Sequence, residues 1–314
     1  MKRFVKVAGM PREEWLTWRR KGIGGSDAAA LIGMSPYSSA YKVYLDKLGK
    51  LPESEQTEAQ RIGNDLEEYV AQRFTEKTGL HVQKPEYMYC HPEHPWMLAD
   101  FDRLIVEEPA GLECKVVNPY TKTDYEGNSI PPHFYVQCQH YMSVSGFDHW
   151  YLGILVLGVG FYHFRIERNE TDIEYLISEE ESFWSNNVMA NEPPPPDGAD
   201  TTTEAISAAF PTDSGIEIAL FDMEDTAATI FNLKDTATKQ KVQLQEAENK
   251  IKAQMESAES AYIPGYKATW KTTTRKAFDQ KKFKTDYPDL YEQYLRETTS
   301  RKFILTKEKE QDNE

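Results

Sequence analysis

The sequence predicts a mixed α/β protein, a central β-sheet flanked by helices, followed by a helical, coiled-coil-like extension with a small β element. Three observations carry this. A helical period over residues 58–77 gives way to strand-like alternation from residue 81 to residue 117. A second passage of helix, strand and strand follows over residues 132–167. Beyond four consecutive prolines in the run 192–197, apolar residues recur every seven positions instead.

Taken in order, residues 11–20 are spaced as a helix, with Trp15 and Trp18 three apart, and Gly22, Gly24 and Gly25 interrupt it. Ser26 and Asp27 are N-cap candidates for a short alanine-rich helix to Leu31, and Ser38 or Ser39 opens another that reaches Leu48 before Gly49. The helix over 58–77 lines up Leu66, Val70 and Phe74 on one stripe, with Gly79 as its C-cap. Strands are expected at 81–89, 96–106 and 111–117, a meander whose last two members are joined by the turn 107–110. A polar loop containing Gly127 leads to a helix over about 132–145. Strands at 149–157 and 161–167 follow around Gly158 and Gly160, then a helix ending near Ala190. The prolines and the Thr, Ala and Asp-rich stretch to Ser214 read as a linker. The chain is thereby divided into a domain over 1–191, a linker over 192–215 and an extension over 216–314. In the extension Ile230, Ala237, Leu244, Ile251 and Ala258 form the heptad stripe, broken by Gly265.

A chain of 314 residues, 39% hydrophobic, can bury a core. It has no run of eighteen apolar residues, and no apolar segment backs the basic N-terminus, so neither a membrane span nor a signal peptide is expected. The expectation is a cytoplasmic protein with no membrane partner. Cys90, Cys114 and Cys138 are odd in number and widely spaced, as free thiols in a reducing compartment would be. Cys90-His91-x-x-His94 invites a zinc reading but lacks a fourth ligand, and Pro92 and Pro95 mark a turn.

A net charge of −15 repels DNA at long range, so binding to nucleic acid requires basic residues gathered in one place. They are gathered between Tyr262 and Lys284, where Lys267, Lys271, Arg275, Lys276, Lys281, Lys282 and Lys284 face the single acid Asp279. Tyr266, Trp270, Phe278 and Phe283 are interleaved with them, a combination suited to nucleic acid. The same residues could equally build a small β-hairpin packed on the helix, with the lysines as its solvated face.

The residues most suggestive of chemistry are Asp102 and, with ten residues between, Glu113-Cys114-Lys115. Glu113 and Lys115 are two apart on one strand and share a face, and an adjacent antiparallel strand can set Asp102 beside them. Two carboxylates facing one pocket repel, and a hard cation such as Mg²⁺ or Mn²⁺, with the Cys114 carbonyl as a further oxygen, relieves the repulsion. Such a site suits phosphodiester hydrolysis, with Lys115 orienting water or steadying the transition state. A solvated salt-bridge ladder on a sheet face is the other reading of the same three residues.

Four blocks together go further: Arg19-Arg20-Lys21-Gly22-Ile23-Gly24-Gly25-Ser26-Asp27, Gly63-Asn64-Asp65-Leu66-Glu67, the Asp102 and Glu113-Cys114-Lys115 pair, and the run from Tyr135 to Tyr141. In this order they resemble the PD-(D/E)xK, restriction-endonuclease-like superfamily and, more closely, the YqaJ and lambda-exonuclease family of phage recombination nucleases. Phe101 stands where the superfamily usually has a proline before its acid. The resemblance implies a Mg²⁺-dependent exonuclease that resects linear duplex DNA from 5′-phosphorylated ends and leaves 3′ overhangs for strand annealing. An endonuclease with the same metal site, or a DNA-binding assembly protein with a decayed site, are the alternatives.

The resemblance also implies that Glu67 is an additional acidic residue of the metal site, that Gln137 lies near the lysine and the scissile phosphate, and that Arg19 and Ser26 receive the 5′-phosphate. Arg20 and Gly25 flank them, and a glycine loop opening a helix offers backbone N–H groups to an anion. It further implies a ring-like homotrimer around DNA, a single-strand annealing protein as partner, and a phage or mobile-element origin in a bacterial cell.

Overall fold

The computed structural model describes residues 1–53, 56–119 and 129–307, so the expected loop around Gly127 lies outside the described residues. The chain divides into two compact units, Met1–Phe210 and Pro211–Glu314. Among the described residues no helix is long and apolar enough to cross a membrane.

The first unit is ordered β1 (Lys2–Lys6), α1 (Arg12–Arg19), α2 (Gly25–Leu31), α3 (Ala40–Lys47), α4 (Glu58–Thr78), β2 (Val82–Gln83), β3 (Tyr87–Cys90), β4 (Leu98–Ala99), β5 (Arg103–Ile105), β6 (Gly111–Val117), α5 (Pro132–Ser145), β7 (His149–Val156), β8 (Gly160–Glu167), α6 (Glu170–Phe183) and α7 (Asp200–Ala209). A π-helical turn, Trp184–Met189, prolongs α6. Five strands form the central sheet in the order β2-β5-β6-β7-β8, and β1, β3 and β4 form a separate three-stranded sheet. The β6–β7 pair is parallel and its neighbours are antiparallel, so the central sheet is mixed as expected.

A parallel pair needs a crossover, and α5 lies within the one that joins β6 to β7. On one face of the sheet, Trp150, Leu152 and Ile154 of β7 pack with Phe134, Cys138, Tyr141 and Met142 of α5. Leu112 and Tyr151 meet Ala71 and Phe74 of α4 on the other. Gly111 opens β6 because an added Cβ would lie 2.1 Å from the Trp150 ring. The long α4 begins at a Thr57–Gln60 capping box and ends at Gly79, whose φ of 78° suits glycine, as the sequence indicates.

Several expectations need correction. The stretch 96–106 is not one strand: β4 pairs with β3 in the small sheet, whereas β5 pairs with β2 and β6 in the central one. Asp102 therefore sits in the bend just before β5 rather than within a strand. The stretch 81–89 likewise divides between the two sheets as β2 and β3. Strand β1 carries no strong signal in the sequence because three of its five residues are basic; it is held by its pairing with β3. The stretch read as a linker contains α7, which packs on α3: Thr202 and Ala205 are buried, and the Thr202 hydroxyl lies 2.7 Å from Ser39 Oγ.

The second unit holds α8 (Glu224–Met255), the hairpin β9 (Ser260–Ile263) and β10 (Tyr266–Thr269), and two short helices, α9 (Gln280–Asp286) and α10 (Pro288–Gln293). Of the heptad stripe, Leu244 and Ile251 are exposed and Ala258 lies past the helix end, so the stripe is not a buried seam within this unit.

Candidate active site

Glu113 and Lys115 project from β6 toward α5, while Leu112 and Cys114, one residue out of phase, turn to the α4 face. Glu113 is buried, only 2% exposed, and its Oε1 is held twice, by Lys115 Nζ at 2.5 Å and by Gln137 Nε2 at 2.7 Å. Its other oxygen, Oε2, is sealed from solvent and has no hydrogen-bond partner among the described residues. Asp102 reaches across from the bend, its Oδ2 accepting the Cys114 backbone N–H at 2.8 Å. The crossover helix delivers Gln137 to Glu113, and the same amide donates to Tyr141 Oη one turn later at 2.9 Å.

The electrostatics follow from this crowding. Burial, then the Glu113 and Glu67 carboxylates, push Asp102 well above the usual carboxylate range. Burial acts to lower Lys115, but Glu113 and then Asp102 outweigh it and raise its pKa, so the side chain stays an ammonium.

Glu67, on α4, reaches the same charge field but is already partnered. Arg103, almost wholly buried, donates to Glu67 Oε1 at 2.5 Å and to Glu68 Oε2 at 2.9 Å, and Lys84 lies 3.2 Å from Glu67 Oε1. Glu68 shares the Arg103 fork, with Nη1 donating to Glu67 and Nη2 to Glu68.

Among the described residues no three His, Cys, Asp or Glu side chains form a ready-made cation cage. The donors nonetheless fit a hard divalent cation. An unpartnered buried carboxylate oxygen on Glu113 and a destabilised Asp102 are oxygen donors whose charge lacks compensation, and Glu67 stands near them. The Cys114 thiol is packed on the α4 side and burial raises its pKa, so any contribution to such a site falls to its backbone.

The second group of candidates meets the first through α2. Arg19 Nη2 lies 2.6 Å from Ser26 Oγ and 2.9 Å from Asp27 Oδ1, and its guanidinium lies over the Trp15 ring. Gly25 is buried against α5, where an added Cβ would lie 2.6 Å from Tyr141 Cε1 and 3.0 Å from Gln137 Cγ. This close approach brings the Arg19 loop and the Glu113 pocket to opposite ends of one contact. Arg20 is not brought to it and pairs with Asp46 on α3 at 3.3 Å. One backbone donor expected to be open to an anion is occupied, because the Gly24 N–H is taken by Asp27 Oδ2 at 3.0 Å. Asp27 is therefore no N-cap; it closes the loop from inside the helix.

Several members of the site carry no signal in the sequence. Lys47, from α3, pairs with Asp27 Oδ2 at 2.6 Å. Asp100 accepts the Trp15 indole N–H at 2.6 Å, and the Tyr141 hydroxyl donates to the Asp100 carbonyl at 3.3 Å. Only the spacing of two acids across Phe101 hints at Asp100, and only the turn spacing from Gln137 at Tyr141.

Cys90, His91 and His94 do not converge on a metal. His91 Nδ1 accepts the backbone N–H groups of Glu93 and His94, which makes it the cap of a turn. The basic candidates lie in the second unit: Lys267 over the Tyr262 ring on the hairpin, Lys271 paired with Glu259, Arg275 and Lys276 in the irregular segment beyond, and Lys281 on α9.

Residues 14–148 match the YqaJ-like viral recombinase domain. The uncharacterized protein YqaJ of Bacillus subtilis (strain 168) is 35% identical over 306 residues, covering 96% of each chain. The chain belongs to the YqaJ family. The fold of this YqaJ-family chain is similar to that of an alkaline exonuclease from Laribacter hongkongensis, LHK-Exo, which superposes with a TM-score of 0.50 at 21% identity, over 57% of this chain and 94% of that one. The LHK-Exo complex with dAMP gives the same TM-score at 20% identity and the same coverage.

Proposed function

We propose that this YqaJ-family chain is a metal-dependent exodeoxyribonuclease that resects linear duplex DNA 5′ to 3′ from 5′-phosphorylated ends, leaving 3′ overhangs for recombination by strand annealing. The observation that carries the reading is the sealed, unpartnered Oε2 of Glu113 beside Asp102 and the Lys115 ammonium. A salt-bridge ladder needs one acid for each base; here a second carboxylate, Asp102, is crowded against Glu113 and its pKa is raised, a repulsion that a hard cation relieves. The kinship with an alkaline exonuclease fold and with a viral recombinase domain supports the same reading.

Asp102, Glu113, the Cys114 carbonyl and Glu67 are the groups that would hold Mg²⁺ or Mn²⁺, which when bound offsets charge on the phosphodiester and acidifies water. Lys115 holds its proton at Nζ, so it donates hydrogen bonds to the attacking water or to a phosphate oxygen and does not serve as the base. Gln137 fixes the Glu113 carboxylate by its amide N–H and keeps it from rotating away from Lys115. Arg19, with Ser26 beside it, takes the terminal 5′-phosphate, and Trp15 beneath the guanidinium holds its plane. The reading includes a ring-like homotrimer threaded by duplex, which explains how an acidic protein stays on DNA, and an annealing protein as partner.

A time course on end-labelled linear duplex, with and without 5′-phosphate, in Mg²⁺ or EDTA, tests polarity, end dependence and metal together. Mononucleotides released from the phosphorylated 5′ end in Mg²⁺ alone are expected. Cutting of closed circular plasmid at a comparable rate would replace the exonuclease with an endonuclease, and a single monomeric mass across micromolar concentrations in light scattering would remove the ring.

A further inference from the structure

The second unit concentrates exposed aromatic rings and clustered positive charge in one stretch of chain. Between Tyr262 and Lys284 there are seven bases and one acid in a chain whose net charge is −15. That acid, Asp279, is spent on capping α9, its Oδ1 accepting the Lys282 N–H at 2.9 Å. Tyr262, Tyr266 and Phe278 are 82%, 77% and 73% exposed.

The rings and cations are arranged in two sets. On the β9–β10 hairpin the register sets Tyr262 directly across from Lys267, whose Nζ lies 5.6 Å from the ring centroid. Around α9 the rings of Phe278, Phe283 and Tyr287 follow one another at centroid spacings of 5.0 and 5.5 Å, with Lys281 and Lys282 exposed on the same short helix. The hairpin sets a cation over a ring, and the α9 segment carries exposed lysines on the same short stretch of chain as a run of rings. That is the composition of a nucleotide, a base joined to a phosphate, seen in complement.

We propose that these two sets of the second unit bind single-stranded DNA, with bases stacking on Tyr262 and Phe278 and phosphates held by Lys267, Lys281 and Lys282. Single strand rather than duplex follows from the rings: base faces are available for stacking only when the bases are unpaired, and duplex offers a basic surface nothing but phosphates. The proposal rests on the nuclease reading only for the origin of the strand, which would be the one that resection leaves behind.

The test uses the full chain in EDTA, so that no cleavage enters, and fluorescence anisotropy with a labelled 30-nucleotide oligothymidylate and a 30-base-pair duplex over a range of salt. Tyr262→Ala with Phe278→Ala should weaken binding to the single strand by about tenfold or more and leave duplex binding nearly unchanged. Lys267→Ala with Lys281→Ala and Lys282→Ala should lower the slope of log affinity against log salt on the single strand by about 2. Tyr262→Phe with Phe278→Tyr keeps both faces and should bind as the wild type, which separates stacking from damage to the fold. Wild-type single-strand affinity in the alanine ring variant, or an equal loss on duplex, overturns the proposal. So does a variant that keeps its DNA affinity and loses a protein partner. Because cleavage is not read, a chain that binds the oligothymidylate as described but degrades no DNA in Mg²⁺ would sink the nuclease reading and leave this one standing.

Discussion

Lys47 Nζ lies 2.6 Å from the Asp27 carboxylate, with its side chain wholly shut off from solvent. The other carboxylate oxygen of Asp27 holds Arg19 at 2.9 Å, so a buried ion pair stands directly behind the arginine proposed to meet the 5′-phosphate. Burial acts to raise Asp27, but Arg19 and then Lys47 overcome it and hold the carboxyl far below its usual range. Asp27→Asn should destabilise the fold by roughly 3 kcal/mol, because it leaves a buried ammonium without its counter-charge. Asp27→Asn with Lys47→Met should recover most of that stability in urea titrations. It should not recover the preference for 5′-phosphate over 5′-hydroxyl ends, since Arg19 has lost its anchor. A double variant with the wild-type end preference would show that Asp27 supports the fold alone.

Asp102→Asn, Glu113→Gln and Lys115→Ala should each lower turnover on linear duplex by about 10²-fold or more. Only the two carboxamide variants should also weaken Mn²⁺ binding in calorimetry. Near-wild-type turnover in any one of them removes that residue from the catalytic set.

Gly25→Ala tests the contact between the two halves of the site. The new methyl group would meet Tyr141 at 2.6 Å and Gln137 at 3.0 Å, and the backbone on both sides is helical and cannot give way freely. The expected result is a folded protein with turnover down by about tenfold or more, in line with the sensitivity of reacting groups to misplacement by about 1 Å. Unchanged turnover would mean that α5 accommodates the methyl group and that Gln137 needs no exact placement.

His140 and Glu180 form a buried pair, with Nδ1 2.8 Å from Glu180 Oε1 and Nε2 2.9 Å from the Leu98 carbonyl. A carbonyl accepts only, so Nε2 carries a proton, and the contact with Glu180 requires a second one between the partners. Burial acts to lower His140, but Glu180 prevails and its pKa is raised above 6.5. A raised folded value means stability fully present below 6.5 and lost as pH rises through the folded value, with a slope approaching 1.4 kcal/mol per pH unit. Urea midpoints measured from pH 7 upward should fall in the wild type and fall less steeply in His140→Gln. Parallel slopes would exclude the pair as the source.

Much of this architecture was legible because its signals are local. The α4 stripe ending at Gly79, the β7 and β8 strands around Gly158, and the Glu113-x-Lys115 spacing each declare themselves within one element. What was not legible depends on which elements meet. Residues 96–106 read as one strand because no glycine or proline interrupts them, yet the chain leaves one sheet at Ala99 and enters another at Arg103. No period along the chain encodes that change of partner, and Asp102 owes its position to it. Lys47 reads as an ordinary helix-terminal lysine, and nothing in its neighbours points to an aspartate twenty residues away. Arg103, which ties Glu67 and Glu68 together, is hidden for the same reason.

The bare oxygen of Glu113 also bears on how firmly the nuclease unit stays folded. A buried polar atom without a partner raises the free energy of the native state relative to the unfolded chain, where water satisfies it. A cation that binds only the folded form lowers that free energy by mass action, by about 2.7 kcal/mol when its concentration is a hundred times its dissociation constant. Melting temperature should therefore climb with Mg²⁺ or Mn²⁺ in the absence of DNA, and flatten in Glu113→Gln. The ion needed for cutting would then also help to decide how much of the protein is intact to cut, and chelation would erode the enzyme as well as silence it.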